Sequence, residues 1–311
     1  AMLIGRGAAA VLTSSTGHKP RILIGKDTRQ SGDMLEAALT AGLCSVGADV
    51  ESLGVVPTPA VAYLVRKYNA DAGVVISASH NPMEFNGIKI FAGTGYKLPD
   101  EVENKIEAYI DNQCAGLKLA TGDDVGRVTC RTDGIKDYTD HLYESIDGDL
   151  SGLNICIDCA NGASAAAARQ LFPRLGAKCT FIGVEPDGKN INAGVGSTHL
   201  DNLEKAVVEG GFDCGIAFDG DADRCLACDE KGQEIDGDKV IALLAMNMKE
   251  KGCLDGNTAV VTVMSNLGFI KFMESQGIRT EKTAVGDRYV LENMRENGYA
   301  IGGEQSGHVI L

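Results

Sequence analysis

The chain has 311 residues, of which 44% are hydrophobic and 5% aromatic, with 39 glycines and no tryptophan. That length exceeds one typical domain, and the apolar share is enough for real cores. With 29 basic against 43 acidic residues, the net charge of −14 repels nucleic acid and anionic membrane, so an anionic ligand must be met by local cations.

The first predicted element is a helix over residues 2–12. One pattern then recurs three times: an apolar strand, a loop, an amphipathic helix, a glycine and a second strand. The first copy takes a strand at 21–25, a helix at 33–46, Gly47 and a strand at 48–53. The second takes 153–157, 164–175, Gly176 and 177–182, and the third takes 258–263, 267–276, Gly277 and 278–282. Each glycine falls where a helix end calls for a left-handed residue. The spacing is that of βαβ units, so parallel or mixed sheets covered by helices are expected. Between the copies, a polar stretch at 111–133 leads into a helix at 134–146, and Asp236-Gly-Asp238 opens a helix at 239–251. The expected fold class is α/β, with three similar α/β domains of mixed sheet flanked by helices, at 1–146, 147–235 and 236–311. The chain opens in a helix with no strand before it and stops mid-strand at Val309-Ile-Leu311. That reads as a fragment with its third domain incomplete.

Ten cysteines call for a test of metal binding. Cys156-Ile-Asp-Cys159 and Cys225-Leu-Ala-Cys228 could offer four thiolates to zinc. Both pairs, however, fall in predicted strands, where residues three apart point to opposite faces. Buried reduced thiols are the expectation. No apolar run approaches the ~20 residues of a membrane span and no secretory pattern opens the chain, so a cytoplasmic protein is expected.

Two segments carry most of the chemistry. Ser77-Ala-Ser-His-Asn-Pro82 follows the apolar run 72–76. Asn81 and Pro82 form turns, leaving Ser79 at the C-terminal end of a strand, where open α/β sheets place ligands. An ordinary serine-rich turn is the plainer alternative. Lys89 lies ten residues beyond Ser79, and a hairpin would bring its ammonium back towards a serine that carried phosphate. Asp219-Gly-Asp-Ala-Asp-Arg224 places three carboxylates at alternate positions after the apolar run 215–218. Their mutual repulsion is relieved by a hard cation such as Mg²⁺. An EF-hand loop also begins with alternating aspartates, but its sixth position needs glycine, and Arg224 stands there. Arg224 suits a phosphate clamp better. A third segment, Gly302-Gly-Glu-Gln-Ser-Gly-His308, gathers partners for sugar hydroxyls or a proton, or is a polar turn between strands. Of five histidines only His80 and His308 sit in such clusters; His18, His141 and His199 read as surface or capping residues. The G-x-G within 192–197 lacks a helix-opening third glycine, which argues against a dinucleotide site.

Together the SASHNP, DGDADR and GEQSGH segments resemble three signature loops of the α-D-phosphohexomutases. Supporting stretches match as well: Gly25-Lys-Asp-Thr-Arg29, Asn190-Ile-Asn192 with Gly196-Ser-Thr-His199, and Val285-Gly-Asp-Arg-Tyr-Val290. The likeness covers nearly the whole chain. It implies that Ser79 is a phosphoserine, with Asp219, Asp221, Asp223 and the Ser79 phosphate holding one Mg²⁺. It implies Lys89 and Arg224 on phosphate oxygens, Glu304 and Ser306 on sugar hydroxyls, His80 and Arg288 beside the substrate, and His308 in positioning or proton transfer. Gln305 and Gly286-Asp-Arg288 look more like the glucosamine branch than the mannose/glucose branch. That branch implies phosphate transfer between O6 and O1 of a hexosamine phosphate through glucosamine 1,6-bisphosphate, supplying UDP-N-acetylglucosamine and cell-wall synthesis. The resemblance implies a small-molecule partner, with neither nucleic acid nor membrane, and leaves a homodimer open. Two departures stand out: the family's opening arginine loop would precede Ala1, and its fourth domain, with a phosphate-binding loop, is absent. A phosphomannomutase or phosphoglucomutase, or a non-catalytic sugar-phosphate-binding fragment, are the alternatives.

Overall fold

The computed structural model describes residues 1–12 and 17–311. Its first unit runs α1 (Met2–Leu12), β1 (Arg21–Lys26), α2 (Ser31–Ser45), β2 (Asp49–Val55), α3 (Thr58–Lys67), β3 (Ala72–Ile76), β4 (Ile88–Ala92), α4 (Asp100–Asp111) and β5 (Val128–Cys130). The strands form one sheet in the order β4-β3-β1-β2-β5, in which β4 alone is antiparallel to its neighbour. Residues of β1 alternate between two cores: Ile22 and Ile24 pack with Leu39 and Leu43 of α2, while Leu23 packs with Val61 and Leu64 of α3. A sheet covered on both faces reads as a continuous apolar run, as β1 and β3 do.

Helix α5 (Gly134–Glu144) joins the first unit to the second, since its Tyr138 shares one core with Leu64 of α3 and Ala167. The second unit runs β6 (Asn154–Asp158), α6 (Ser164–Arg174), β7 (Lys178–Ile182), α7 (Asp201–Gly210), β8 (Cys214–Phe218), β9 (Cys225–Asp229) and β10 (Glu234–Ile235). Its sheet has the order β10-β9-β8-β6-β7. The third runs α8 (Gly237–Glu250), β11 (Thr258–Thr262), α9 (Leu267–Ser275), β12 (Arg279–Thr283), α10 (Asp287–Asn297), β13 (Gly302–Gly303) and β14 (Val309–Ile310), with strand order β12-β11-β13-β14.

All three expected βαβ copies are present as parallel pairs, β1 with β2, β6 with β7 and β11 with β12. Gly47, Gly176 and Gly277 have φ of 95°, 91° and 65°, as the helix ends require. The polar stretch at 111–133 holds more structure than its composition indicates. Within it β5, with all three residues exposed, adds a parallel edge strand to β2. The four CxxC cysteines are free thiols. Cys159 lies one residue past β6 and packs with Ile155 and Ile157, whereas Cys156 packs with Leu203 and Val207 on the other face. Among the described residues no helix is long and apolar enough to cross a membrane.

The sheet meets α3 without side chains at two points. A Cβ on Gly73 would come within 2.4 Å of Val65 Cγ2 and 2.8 Å of Val61 Cγ1, and one on Gly25 within 2.6 Å of Val56 and Val61. This close approach fixes Thr58, the first residue of α3, against the second unit. Gly73→Val is therefore expected to cost about 1–3 kcal/mol of stability by overpacking. A lower urea midpoint at unchanged slope checks it; an unchanged midpoint would mean that α3 gives way freely.

Candidate active site

Ser79 sits in the turn after β3 with φ of 53°, a left-handed conformation that costs a non-glycine residue energy and persists only when its surroundings impose it. They do so here. Ser79 N donates to Ser77 Oγ at 2.9 Å. The Arg29 guanidinium donates to the carbonyls of Ser79, at 3.1 Å, and Asn81, at 2.5 Å. Asn192 Nδ2 donates to the same two carbonyls at 2.9 and 3.1 Å. Arg29 is buried and paired with buried Asp27. The first unit thus holds the turn from one side and the second unit from the other. Gly220 completes the contact, since a Cβ there would lie 2.7 Å from the Ser79 carbonyl.

The acidic loop connects the antiparallel pair β8 and β9. Asp219 and Asp221 are 0% exposed, and the Asp223 side chain is 16% exposed. One oxygen from each lies within 4.8 Å of the others. Ser79 Oγ donates to Asp219 Oδ2 at 2.5 Å and lies 3.5 Å from Asp223 Oδ1. The β3–β4 hairpin sets Lys89 opposite Val75, and its ammonium donates to Asp221 Oδ2 at 2.6 Å and Asp223 Oδ2 at 3.1 Å. Thr58 Oγ1 donates to Asp221 Oδ2 at 2.5 Å.

Electrostatics follow from this crowding. Burial, then the neighbouring Asp221 and Asp223, push the Asp219 carboxyl up to about 7. Burial also opposes charge on Asp221, but the Lys89 ammonium and the Thr58 hydroxyl overcome it and hold that carboxyl below its ordinary value. Burial likewise opposes charge on Lys89, and Asp221 and Asp223 outweigh it, raising Lys89 above its ordinary value. Asp221 Oδ1 is buried with no hydrogen-bond partner, a deficit that native interiors rarely leave. Three oxygen donors with one orphaned lone-pair set fit a hard divalent cation.

Beside the triad lies a cleft of about 670 Å³, lined by Thr58, Asp223, Arg224, Lys97, Asp287, Arg288 and His308, among others. Arg224 N donates to Asp219 Oδ1 at 3.2 Å, and its guanidinium has no side-chain hydrogen bond or ion pair among the described residues. Arg288 is held by Asp100 and by Glu292 at 2.9 Å. The third motif forms the β13–β14 hairpin. In it Glu304 Oε1 accepts from Gly286 N at 3.0 Å, Ser306 is exposed at the turn, and His308 Nε2 lies 3.5 Å from Asp287 Oδ2. His80 is half-buried, and burial, then Arg224, lower its pKa. Ser79, Lys89 and the three aspartates thus meet in one cluster, with Arg224, Arg288 and His308 on the adjoining wall. The sequence does not single out Thr58, Asp27, Arg29 or Asn192 as site residues, although Asp27, Arg29 and Asn192 lie in stretches noted for their family likeness. The G-x-G segment at 192–197 serves packing: Gly196 N donates to Asp158 and Ser197 N to the Phe218 carbonyl.

Comparison with known proteins assigns the three units to a family. Residues 1–115, 136–232 and 236–311 match alpha/beta/alpha domains I, II and III, respectively, of phosphoglucomutase/phosphomannomutase. The chain belongs to the phosphoglucomutase/phosphomannomutase family. It is 56% identical over 308 residues to the phosphoglucosamine mutase of Acetivibrio thermocellus, covering 99% of this chain and 69% of that relative. With the phosphoglucosamine mutase of Clostridium tetani it shares 57% identity over 308 residues, covering 99% and 68%. Its fold is similar to the crystal structure of a phosphoglucomutase/phosphomannomutase family protein from Burkholderia thailandensis, with TM-score 0.83 and 25% identity over 100% of this chain and 67% of that one.

In this member of the family Lys89 is the cation that offsets the acidic cluster, so removing it strands buried charge. Lys89→Met, measured in chelator, is expected to lose about 1–3 kcal/mol, below the roughly 3–5 of a wholly buried pair because solvent reaches part of the ammonium. Denaturant titration reads the loss; wild-type stability in the variant would show that the cluster is not strained by its own charge.

Proposed function

We propose that the chain acts as a phosphoglucosamine mutase, interconverting glucosamine 6-phosphate and glucosamine 1-phosphate through a phosphoserine and a 1,6-bisphosphate. The observation that carries this reading is Ser79 Oγ bonded at 2.5 Å to Asp219 of the acidic triad, whose Asp223 lines a cleft together with Arg224 and Lys97. The identity with phosphoglucosamine mutases supports the choice of sugar.

In this reading Asp219, Asp221, Asp223 and the Ser79 phosphate would hold one Mg²⁺. When bound, it supplies positive charge that neutralises the transferring phosphoryl group. The chain's own residues do the rest. Ser79 carries the phosphoryl group, and Lys89 and Arg224 bind its oxygens. Glu304 and Ser306 grip the sugar hydroxyls, while His80 and Arg288 border the substrate. As the bond from phosphorus to Ser79 Oγ breaks, one forms to the free sugar hydroxyl, whose proton goes to Lys89 or His308. The carboxylates of Asp221 and Asp223 keep Lys89 protonated, which favours His308 as acceptor. The bisphosphate then turns over, and Ser79 takes back the other phosphoryl group. Positioning and charge stabilisation account for the acceleration. Ten free cysteines suit the reducing cytoplasm, where the product would feed UDP-N-acetylglucosamine and cell-wall synthesis.

The test is intact mass after incubation with Mg²⁺ and glucosamine 1,6-bisphosphate. Wild type is expected to gain one phosphate and Ser79→Ala none, with mutase turnover in the variant at background. Full turnover by Ser79→Ala would overturn the mechanism. Comparing kcat/KM for glucosamine, glucose and mannose 6-phosphates separates this reading from a phosphoglucomutase or phosphomannomutase.

A further inference from the structure

Glucosamine 6-phosphate differs from glucose 6-phosphate by one group, an amine that carries positive charge when protonated. A site that prefers it needs an acceptor, best an ionised one, placed beside the sugar ring. The cleft wall is mostly unsuited, because Arg66, Lys97, Arg224, Arg288 and Arg295 line it. These cations favour phosphate and repel an ammonium.

Three carboxylates line the same cleft: Asp223, Asp287 and Glu292. Asp223 belongs to the triad and takes Lys89 at 3.1 Å. Glu292 is committed to Arg288 at 2.9 Å, and its side chain is 51% exposed. Asp287 is differently placed. It opens α10, and the amide just before it, Gly286 N, donates to Glu304. Asp287 is thereby tied to the hairpin assigned above to the sugar hydroxyls. Its Oδ2 lies 3.5 Å from His308 Nε2 in that hairpin. The same oxygen receives the ammonium of Lys97 at 2.5 Å, so this carboxylate already holds an alkylammonium within the cleft.

We propose that Asp287 recognises the 2-ammonium group of the amino-sugar phosphate and is the residue that sets preference for glucosamine over glucose. Lys97 and the sugar amine compete for this carboxylate. The proposal rests on the phosphoglucosamine reading of the site.

Calorimetric dissociation constants for glucosamine 6-phosphate and glucose 6-phosphate test it, on wild type, Asp287→Asn and Lys97→Met. Wild type is expected to favour the amino sugar. Asp287→Asn should weaken glucosamine 6-phosphate by about tenfold or more, the size of one charged hydrogen bond, and leave glucose 6-phosphate unchanged. Binding of the glucose compound also reports that the variant is folded. Lys97→Met removes a cation that attracts both phosphates, yet the ratio should move further towards the amino sugar as the competitor goes. Equal weakening of both sugars by Asp287→Asn, or a preserved preference, would overturn the proposal while leaving the phosphoglucosamine reading intact. A wild type without preference for the amino sugar would instead remove that reading and the proposal with it.

Discussion

Three carboxylates on one short loop, two of them without solvent exposure, are the constraint around which the first two units are built. At such separations and outside water, like charges repel by several kcal/mol, and the fold answers with partners drawn from elsewhere in the chain. Lys89 comes from the β3–β4 hairpin, Thr58 from the start of α3 and Ser79 from the turn after β3. The Thr58 amide also donates to the Asp221 carbonyl at 2.8 Å. The acidic loop belongs to the second sheet and nearly everything that stabilises it belongs to the first. The cluster is therefore the joint between the first two units and, in the proposed reading, the chemical centre.

The third unit closes the site through its hairpin. Cys225 N, next to the acidic loop, donates to the Gly307 carbonyl at 3.0 Å, and Gly237 N donates to that of Gln305 at 2.9 Å. These backbone bonds fix the hairpin relative to the triad. Across the cleft the contacts are ion pairs, Lys97 with Asp287 and Arg288 with Asp100. Partly exposed pairs of that kind contribute only about 0–1 kcal/mol each, so the far wall is held by exchangeable charges and the near wall by main chain. That division suits a site in which a charged sugar must enter, turn over and leave.

Much of this was legible in the sequence. The βαβ copies announced themselves because buried parallel strands are apolar throughout and because glycine marks each helix end. Ser79 and the three aspartates stood out because a serine turn and alternating carboxylates are unusual after apolar strands. Strand β5 was hidden, since Val128–Cys130 are wholly exposed and their pairing comes from main-chain bonds to β2. Thr58 was hidden for another reason, and Arg29 and Asn192 showed only as members of stretches that resemble the family, without a role. Each acts on a residue tens of positions away, and no local pattern encodes that. Of the partners of Arg288, Glu292, four residues on, was within reach of helical spacing, whereas Asp100 comes from another unit.

The proposed function requires the acidic cluster to hold a divalent cation against Ser79. Titration of Mn²⁺ into the metal-stripped protein, followed by electron paramagnetic resonance, tests it most directly. One site per chain is expected, displaced by Mg²⁺ and lost in Asp221→Asn, because the orphaned oxygen of Asp221 is a ligand in this reading. Undiminished binding in Asp221→Asn, or none in wild type, would contradict it.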